Sequence, residues 1–306
     1  MALNFDQISA ITERYFVKKL ADNIFDSNPL TKRLKEKSMD TISGGTSILV
    51  PLNYATTSAS GWYSGADTLS TTDNDQITSA EYSWKQHYAN ITVSGLDELK
   101  NSGEQAMLNF VKEKTKIAER TLVDNLGTGM YSAGTDPKSI VGLRSIVGTS
   151  NTIGGISQTS NSWWAGQVDS ATTTLTLAAM QTLYNAATVD NMHPTVATAS
   201  RAIYNLYYAL LQPQQRFTDS EVAKGGFSSI MFNGIPVIAD SKCPSAHLFF
   251  VNEDFLHLFV HKDRNMKFEP FQKPINQDVK SAKIYWCGAL GSSNNRLHGK
   301  FSAITA

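Results

Sequence analysis

Residues 46–94 limit what this chain can become more than any other stretch. They are rich in Ser, Thr, Tyr and Trp, and two runs within them, TSILVPLNYAT and ITSAEYSWKQHYANITVS, alternate in the manner of β-strands. The tip between them, GWYSGADTLSTTDNDQ, is polar. The pattern predicts a long hairpin, since two strands of about a dozen residues at ~3.3 Å per residue reach on the order of 40 Å. Such an arm has too few apolar residues for a core of its own, and alone it would expose unpaired strand edges. It must pack on something else.

The rest of the chain supplies ordinary globular signals. In FDQISAITERYFVKKLADNIFDSNPL, residues Ile8, Ile11, Tyr15, Leu20 and Ile24 recur at helical spacing until Asn28-Pro29 stops the pattern. TKRLKEKSMD predicts a short basic helix or turn, ended by Gly44-Gly45. After the arm, NSGEQAMLNFVKEKTKIAERTLVDNLGTG reads as one long helix. Ser102 and Gln105 fit a capping box, Met107, Phe110, Val111, Ile117, Leu122 and Leu126 form its apolar stripe, and Gly127 is its expected end. Its length is roughly 35 Å. Residues 127–174 are Gly/Ser/Thr-rich and irregular, with Trp163 and Trp164 expected to anchor a loop by burial. Helix, strand and helix follow in TLTLAAMQTLYNAATVD, PTVATAS and SRAIYNLYYALLQP, and Asn233-Gly234 then marks a hairpin, giving a compact α+β lobe. MKFEPFQKP, SAKIYWCGALGSS and NRLHGKFSAITA are strand-like, and there is no internal repeat.

Composition and motifs point away from chemistry. A chain of 306 residues with 41% hydrophobic content can bury one large core or two ordinary ones. Twenty-seven basic and 27 acidic residues cancel, so any contact with DNA must be local and weak. Cys243 and Cys287 are unpatterned, no apolar run approaches the ~20 residues of a membrane span, and MALNFDQISA lacks a signal-peptide pattern, so a reducing cytoplasm is expected. GMYSAG around Ser132 is one residue out of register for a nucleophile elbow. Cys243 and His247 are four apart but flank Pro244, and the Cys is expected in the core; His257 and His261 sit in a strand-like run and are expected to be satisfied or exposed. GGTS and GTGMYSAG lack the spacing and Lys of a phosphate loop, and Asp67, Asp73 and Asp75 lack the ligand order of a calcium loop. No cofactor or metal is expected.

The order of N-terminal segment, extended hairpin, long helix, α+β lobe and returning strands resembles the major capsid proteins of tailed bacteriophages, the Hong Kong 97 fold. YSWKQHYANITVSGLDELKNSGEQAMLNFVKEKTKIAERTL, GGISQTSNSWW, FNGIPVIAD with CPSAHLFFVNED, and NNRLHGKFSAI resemble landmarks of those proteins in the same order. The resemblance implies an α+β capsid fold with an N-arm at 1–48, an E-loop at 49–90, spine helix and peripheral domain at 91–175, an axial domain at 176–262 and return strands at 263–306, of which the last rejoins the axial domain in one arrangement. It implies a non-enzymatic subunit forming hexamers and pentamers of an icosahedral shell around double-stranded DNA, assembled in the host cytoplasm and resident in the virion. Its partners would be further copies, a portal, a separate scaffolding protein, weakly held DNA and, in some shells, a decoration protein. Trp62, Tyr63 and Trp84 would be buried against a neighbour. The acidic Asp67, Asp73 and Asp75 would face Lys112, Lys114 and Lys116 of the spine and Lys280, Lys283 and Arg296 of the return strands. The alternatives are an encapsulin-like compartment, expected to have a shorter chain and an N-terminal helix, and an α+β hydrolase.

Some members of that family lock the shell with an isopeptide bond from an E-loop Lys, but residues 46–84 contain no Lys, and Lys85 lies at the hairpin base. Boiled particles are therefore expected to run as one band near 33.5 kDa on a denaturing gel. A ladder of multimers resistant to reductant would overturn non-covalent assembly, and a mature N-terminus well inside the sequence would show processing that the chain does not predict.

Overall fold

The computed structural model describes residues 28–72, 74–100, 104–211 and 229–305, with backbone alone at 104–109 and 229. The helical pattern of residues 8–24, the Ser102 cap, the Met107 side chain and Asp73 lie outside the described residues.

The described chain opens with helix α1 (Pro29–Lys37), with Pro at its start, where a missing N–H costs nothing. The helix stops short of Gly44-Gly45, because the next residues are drawn into strand β1 (Met39–Ile42) by parallel pairing with a distant strand. β2 (Ile48–Asn53) and β3 (Ile77–Tyr82) then form the arm hairpin. They pair over six residues each, about 20 Å and half the expected length. The second alternating run breaks at Ser83-Trp84, and its remainder, β4 (Lys85–Ser94), leaves the arm for a larger sheet.

A short helix α2 (Gly95–Lys100) leads to the long helix α3 (Glu104–Met130), whose 27 residues span about 40 Å. Its buried side is Val111, Thr115, Ala118, Leu122, Leu126 and Met130, whereas Ile117 falls off that stripe and is exposed. Gly127 does not end the helix. A Cβ there would lie 2.3 Å from the Asn28 side-chain nitrogen, so this glycine lets the start of α1 sit against the helix. Asn28 Nδ2 donates to the Val123 carbonyl at 3.3 Å across the same contact.

The remaining elements are α4 (Leu143–Ile146), the small hairpin β5 (Thr152–Ile153) and β6 (Ile156–Ser157), β7 (Gln167–Asp169), α5 (Leu177–Ala186), β8 (Val196–Ala199), α6 (Arg201–Leu210), β9 (Ser229–Phe232), β10 (Ile235–Ala239), β11 (Leu248–Val251), β12 (Leu256–His261), β13 (Lys267–Gln272), β14 (Val279–Ser292) and β15 (Gly299–Phe301). Thr176 and Ser200 cap α5 and α6 through their side chains. Asn233 and Gly234, both at positive φ, make the tight turn between β9 and β10.

Two sheets organise these strands. β14 is the centre of a five-stranded sheet: β4 runs along one edge, β12 and β13 follow one another along the other, and β1 extends β12. The six-stranded sheet has the order β7-β15-β11-β8-β10-β9. Around the first, Leu122, Ile284, Trp286 and Leu258 form one core; on the second, Ile203, Tyr207, Val237 and Phe250 form another. Sheet membership departs from boundaries drawn at 175/176 and 262/263. β7 belongs to the six-stranded sheet and β12 to the five-stranded one, because pairings such as Gln167 with Gly299 join segments with no local signal in the sequence, while β15 joins the six-stranded sheet, as one of the two arrangements expected for the last strand has it.

Glu253 lies between β11 and β12, where the chain passes from one sheet to the other, and its side chain has no exposed surface. Arg33 Nε reaches its Oε1 at 2.5 Å, and Oε2 accepts from Lys37 at 3.0 Å and from the Thr195 hydroxyl at 2.8 Å. Burial would raise this carboxyl's pKa, but the Arg33 hydrogen bond and the charges of Arg33 and Lys37 outweigh it, and the pKa falls below the ordinary range. Replacing Glu253 by Gln removes the carboxylate charge that Arg33 and Lys37 share and is expected to cost about 3 kcal/mol in urea unfolding of the unassembled subunit. A loss below about 1 kcal/mol would mean that water replaces the carboxylate and that the cluster holds little together.

Candidate assembly interface

The arm hairpin has two unlike faces. Ile48, Val50 and Leu52 of β2 and Ala80 and Tyr82 of β3 point into the core, as period-2 alternation requires. The opposite face carries Leu49, 64% exposed, and Ile77, 72% exposed. Beyond the strands, residues 54–72 and 74–76 have no regular secondary structure, and Trp62, Tyr63 and Leu69 stand in solvent. Side chains brace the tip locally. Asn74 accepts from Ser58 N at 2.9 Å and donates to the Thr56 carbonyl at 3.2 Å, and Asp67 accepts from Ser64 N at 2.8 Å.

The base is firmly held. Tyr82 Oη donates to the Ser292 carbonyl at 2.7 Å and accepts from Ser292 N at 2.9 Å, which ties the end of β3 to the end of β14. Glu81 N donates to the Gly154 carbonyl at 2.9 Å. Gly154 has φ of +60°, and a Cβ on it would come within 2.6 Å of the Ala80 Cβ, so the β5–β6 turn touches the arm only as glycine. Trp163 stacks on Tyr54 with centroids 5.0 Å apart, while its neighbour Trp164 is buried and donates to the Ile153 carbonyl at 3.0 Å.

Trp84 differs from Trp62 and Tyr63. Its indole N–H donates to the Gly45 carbonyl at 3.0 Å and its ring meets His261 edge-on at 5.4 Å, so this half-buried side chain has partners within its own chain. Among the cations expected to face the arm tip, Lys116 pairs with Glu113 at 3.0 Å and Lys280 with Glu98 at 3.0 Å in the same chain. Lys114 lies over the Phe110 ring, Lys112 and Arg296 are exposed, and Lys283 is half-buried on β14. Asp67 and Asp75 are exposed. The sequence reading passed over Leu49 and Ile77, although the same alternation that puts Leu52 and Ala80 inside puts them outside.

The architecture has solved counterparts. A capsid subunit of cyanophage A-1(L) superposes with a TM-score of 0.66 at 17% identity, covering 96% of this chain and 94% of its own. The encapsulin SrpI of Synechococcus elongatus gives 0.60 at 12% identity over 89% of this chain and 87% of that one, and the Mycobacterium phage Bobi structure gives 0.58 at 11% identity over 88% and 89%. The chain has the Hong Kong 97 capsid fold. No protein-family model and no curated protein matches its sequence. The high mutual coverage with the SrpI encapsulin means two chains of nearly equal length, so the expectation that an encapsulin would be shorter does not hold.

Within this capsid fold Ser132, Cys243 and His257 have structural partners. The Ser132 hydroxyl donates to the Ile140 carbonyl and accepts from the N–H of Gly142 at 3.2 Å, bracing a turn. Cys243 is buried, burial pushes its thiol pKa well up, and it contacts the His247 carbonyl rather than its ring. His257 meets Ser293 and Asp40. No cluster of three metal-ligating side chains occurs among the described residues, and no helix among them is long and apolar enough to cross a membrane.

The arm anchor continues inward. Ser292 Oγ lies 3.2 Å from His298 Nε2, and His298 Nδ1 accepts from Asn252 N at 3.2 Å, so Nε2 carries the proton. Burial foremost, then the neighbouring His257, lowers the His298 pKa to about 3. The unfolded chain, with an ordinary value near 6.5, binds a proton below that pH while the folded subunit does not. Stability is therefore full above about pH 6.5 and falls by about 1.4 kcal/mol per pH unit toward about pH 3 from this group alone. Urea midpoints at pH 7.5 and 5.0 should show this slope in the wild type and a shallower one in His298→Asn. Equal slopes would remove His298 as the cause.

Proposed function

We propose that this chain is a major capsid protein that assembles as hexamers and pentamers into an icosahedral shell enclosing double-stranded DNA, with a structural and not a catalytic role. The observation that carries the reading is the arm: a hairpin fixed at its base, with one face in its own core and Leu49, Trp62, Leu69 and Ile77 outside it, on a chain with the capsid fold. Lone exposed apolar residues are ordinary, but a series along one projecting element marks a surface that another molecule covers. In a shell that molecule is the next copy, and many modest contacts repeated around a closed surface make loss of one subunit costly. The 1–48, 49–90, 91–175, 176–262 and 263–306 divisions serve in this reading as N-arm, E-loop, peripheral, axial and return segments. Portal, scaffolding and decoration proteins and the packaged DNA are its partners, the host cytoplasm its place of assembly and the virion its final location. Trp62, Tyr63, Asp67 and Asp75 are proposed as contacts to the neighbour.

A second reading, a compartment shell of the encapsulin kind, is favoured by the likeness to the SrpI encapsulin complex and to a virus-like particle from Pyrococcus furiosus, the latter at a TM-score of 0.53 over 93% of this chain. Electron microscopy of particles purified from expressing cells separates the two, through DNA or cargo protein inside. Replacing residues 55–75 by a short linker is expected to leave a folded subunit that forms no shells. Normal shells from that variant would refute the role given to the arm.

A further inference from the structure

The sequence contains one Asn-Gly step, Asn233-Gly234, and the fold puts it at the tip of the β9–β10 hairpin with both residues exposed. In such a step the main-chain nitrogen of the glycine is the nearest nucleophile to the asparagine side-chain carbonyl carbon, and the missing Cβ leaves its approach unhindered. Every other asparagine in the chain is followed by a residue with a Cβ.

The glycine side of this step is open. A Cβ built on Gly234 would meet no atom within 4 Å, and among the described residues nothing accepts from its N–H. The asparagine side is held. Asn233 Nδ2 donates to Gln181 Oε1 at 2.7 Å and Gln181 Nε2 donates to Asn185 Oδ1 at 2.8 Å, so a row of amides runs from the turn onto the exposed side of α5. The turn is a second restraint, with φ of +47° at Asn233 and +81° at Gly234. Bringing the glycine nitrogen onto the side-chain carbon requires the amide to leave Gln181 and the turn to open. That opening is local, because among the described residues β9 is the edge of the six-stranded sheet and faces β10 through four residue pairs. Tyr207 Oη, which donates to the Met231 carbonyl at 2.8 Å, keeps the strand on α6 meanwhile.

We propose that Asn233 is a site of spontaneous deamidation that Gln181 holds in check. The Gly234 nitrogen forms a bond to Asn233 Cγ and loses its proton, the side-chain nitrogen leaves as ammonia, and the cyclic imide is opened by one water molecule to aspartate or isoaspartate. No oxidant or further reactant takes part. Isoaspartate routes the main chain through the former side chain and lengthens the turn by one carbon. Either product carries a carboxylate, which accepts only and cannot donate to Gln181 Oε1. The closed end of the hairpin gains a negative charge and loses its tie to α5.

The reaction needs only the turn and water, whether or not the chain forms shells. The unassembled, folded full-length chain is held at mildly acidic and mildly alkaline pH, and its fragments are followed by mass spectrometry with separation of the two isomers. A mass gain at Asn233 is expected, with isoaspartate and aspartate both present and a rate that rises with pH, because the attacking nitrogen must lose its proton. Gln181→Ala should react about 3-fold faster through loss of one exposed hydrogen bond, while Gln181→Glu, which keeps an acceptor, should stay near the wild-type rate. No isoaspartate in the folded chain, or aspartate alone, overturns the site. Equal rates in the wild type and in a folded Gln181→Ala variant overturn the part given to Gln181.

Discussion

The buried carboxylate of Glu253 is the constraint on which the rest of the described structure depends. A carboxylate with no exposed surface cannot stay charged alone, and its partners Arg33 and Lys37 lie four residues apart. That spacing reaches one carboxylate from one helix face, so the charge requires α1 to be helical and docked. Thr195, at the start of β8, brings the six-stranded sheet to the same point. Pairs of this kind add little net stability over an apolar substitute, because desolvation cancels most of the Coulomb gain. What the cluster supplies is position: it fixes where the segment before the arm enters and how the chain crosses between sheets.

With that joint fixed, the arm inherits a defined exit. Tyr82, Gly154 and Trp163 hold its base through a reciprocal hydrogen bond, a steric match and an aromatic stack, none of which depends on a second subunit. Among the described residues the tip is braced by short local hydrogen bonds between polar residues. Ordering the tip against a partner has an entropic cost, which burial of Trp62 and Leu69 at about 25 cal/mol per Å² can offset. A fixed base and an adaptable end therefore follow from which residues can find partners within the chain.

Much of this was legible in the sequence. Alternation located both arm strands, Asn233-Gly234 located a hairpin, and apolar spacing located α3. Tertiary pairing decided the rest. The arm is short because residues 85–94 find a better partner in β14, and Gly127 lies inside a helix because Asn28 needs the space. Trp62 and Trp84 look alike in sequence, yet Trp84 is held by Gly45 and His261 and Trp62 is covered by none of the described residues. Glu253 gave no signal, since its cationic partners lie more than 200 residues away.

The continuity of β3 into β4 has a mechanical consequence. A pull on the arm enters β4 at Lys85, and β4 is bonded to β14 through ten consecutive residue pairs. Load applied along that strand is carried in shear by the whole ladder at once, instead of peeling bonds one after another from an end. Under such a pull, the chain would then yield first in its polar tip and last in its central sheet.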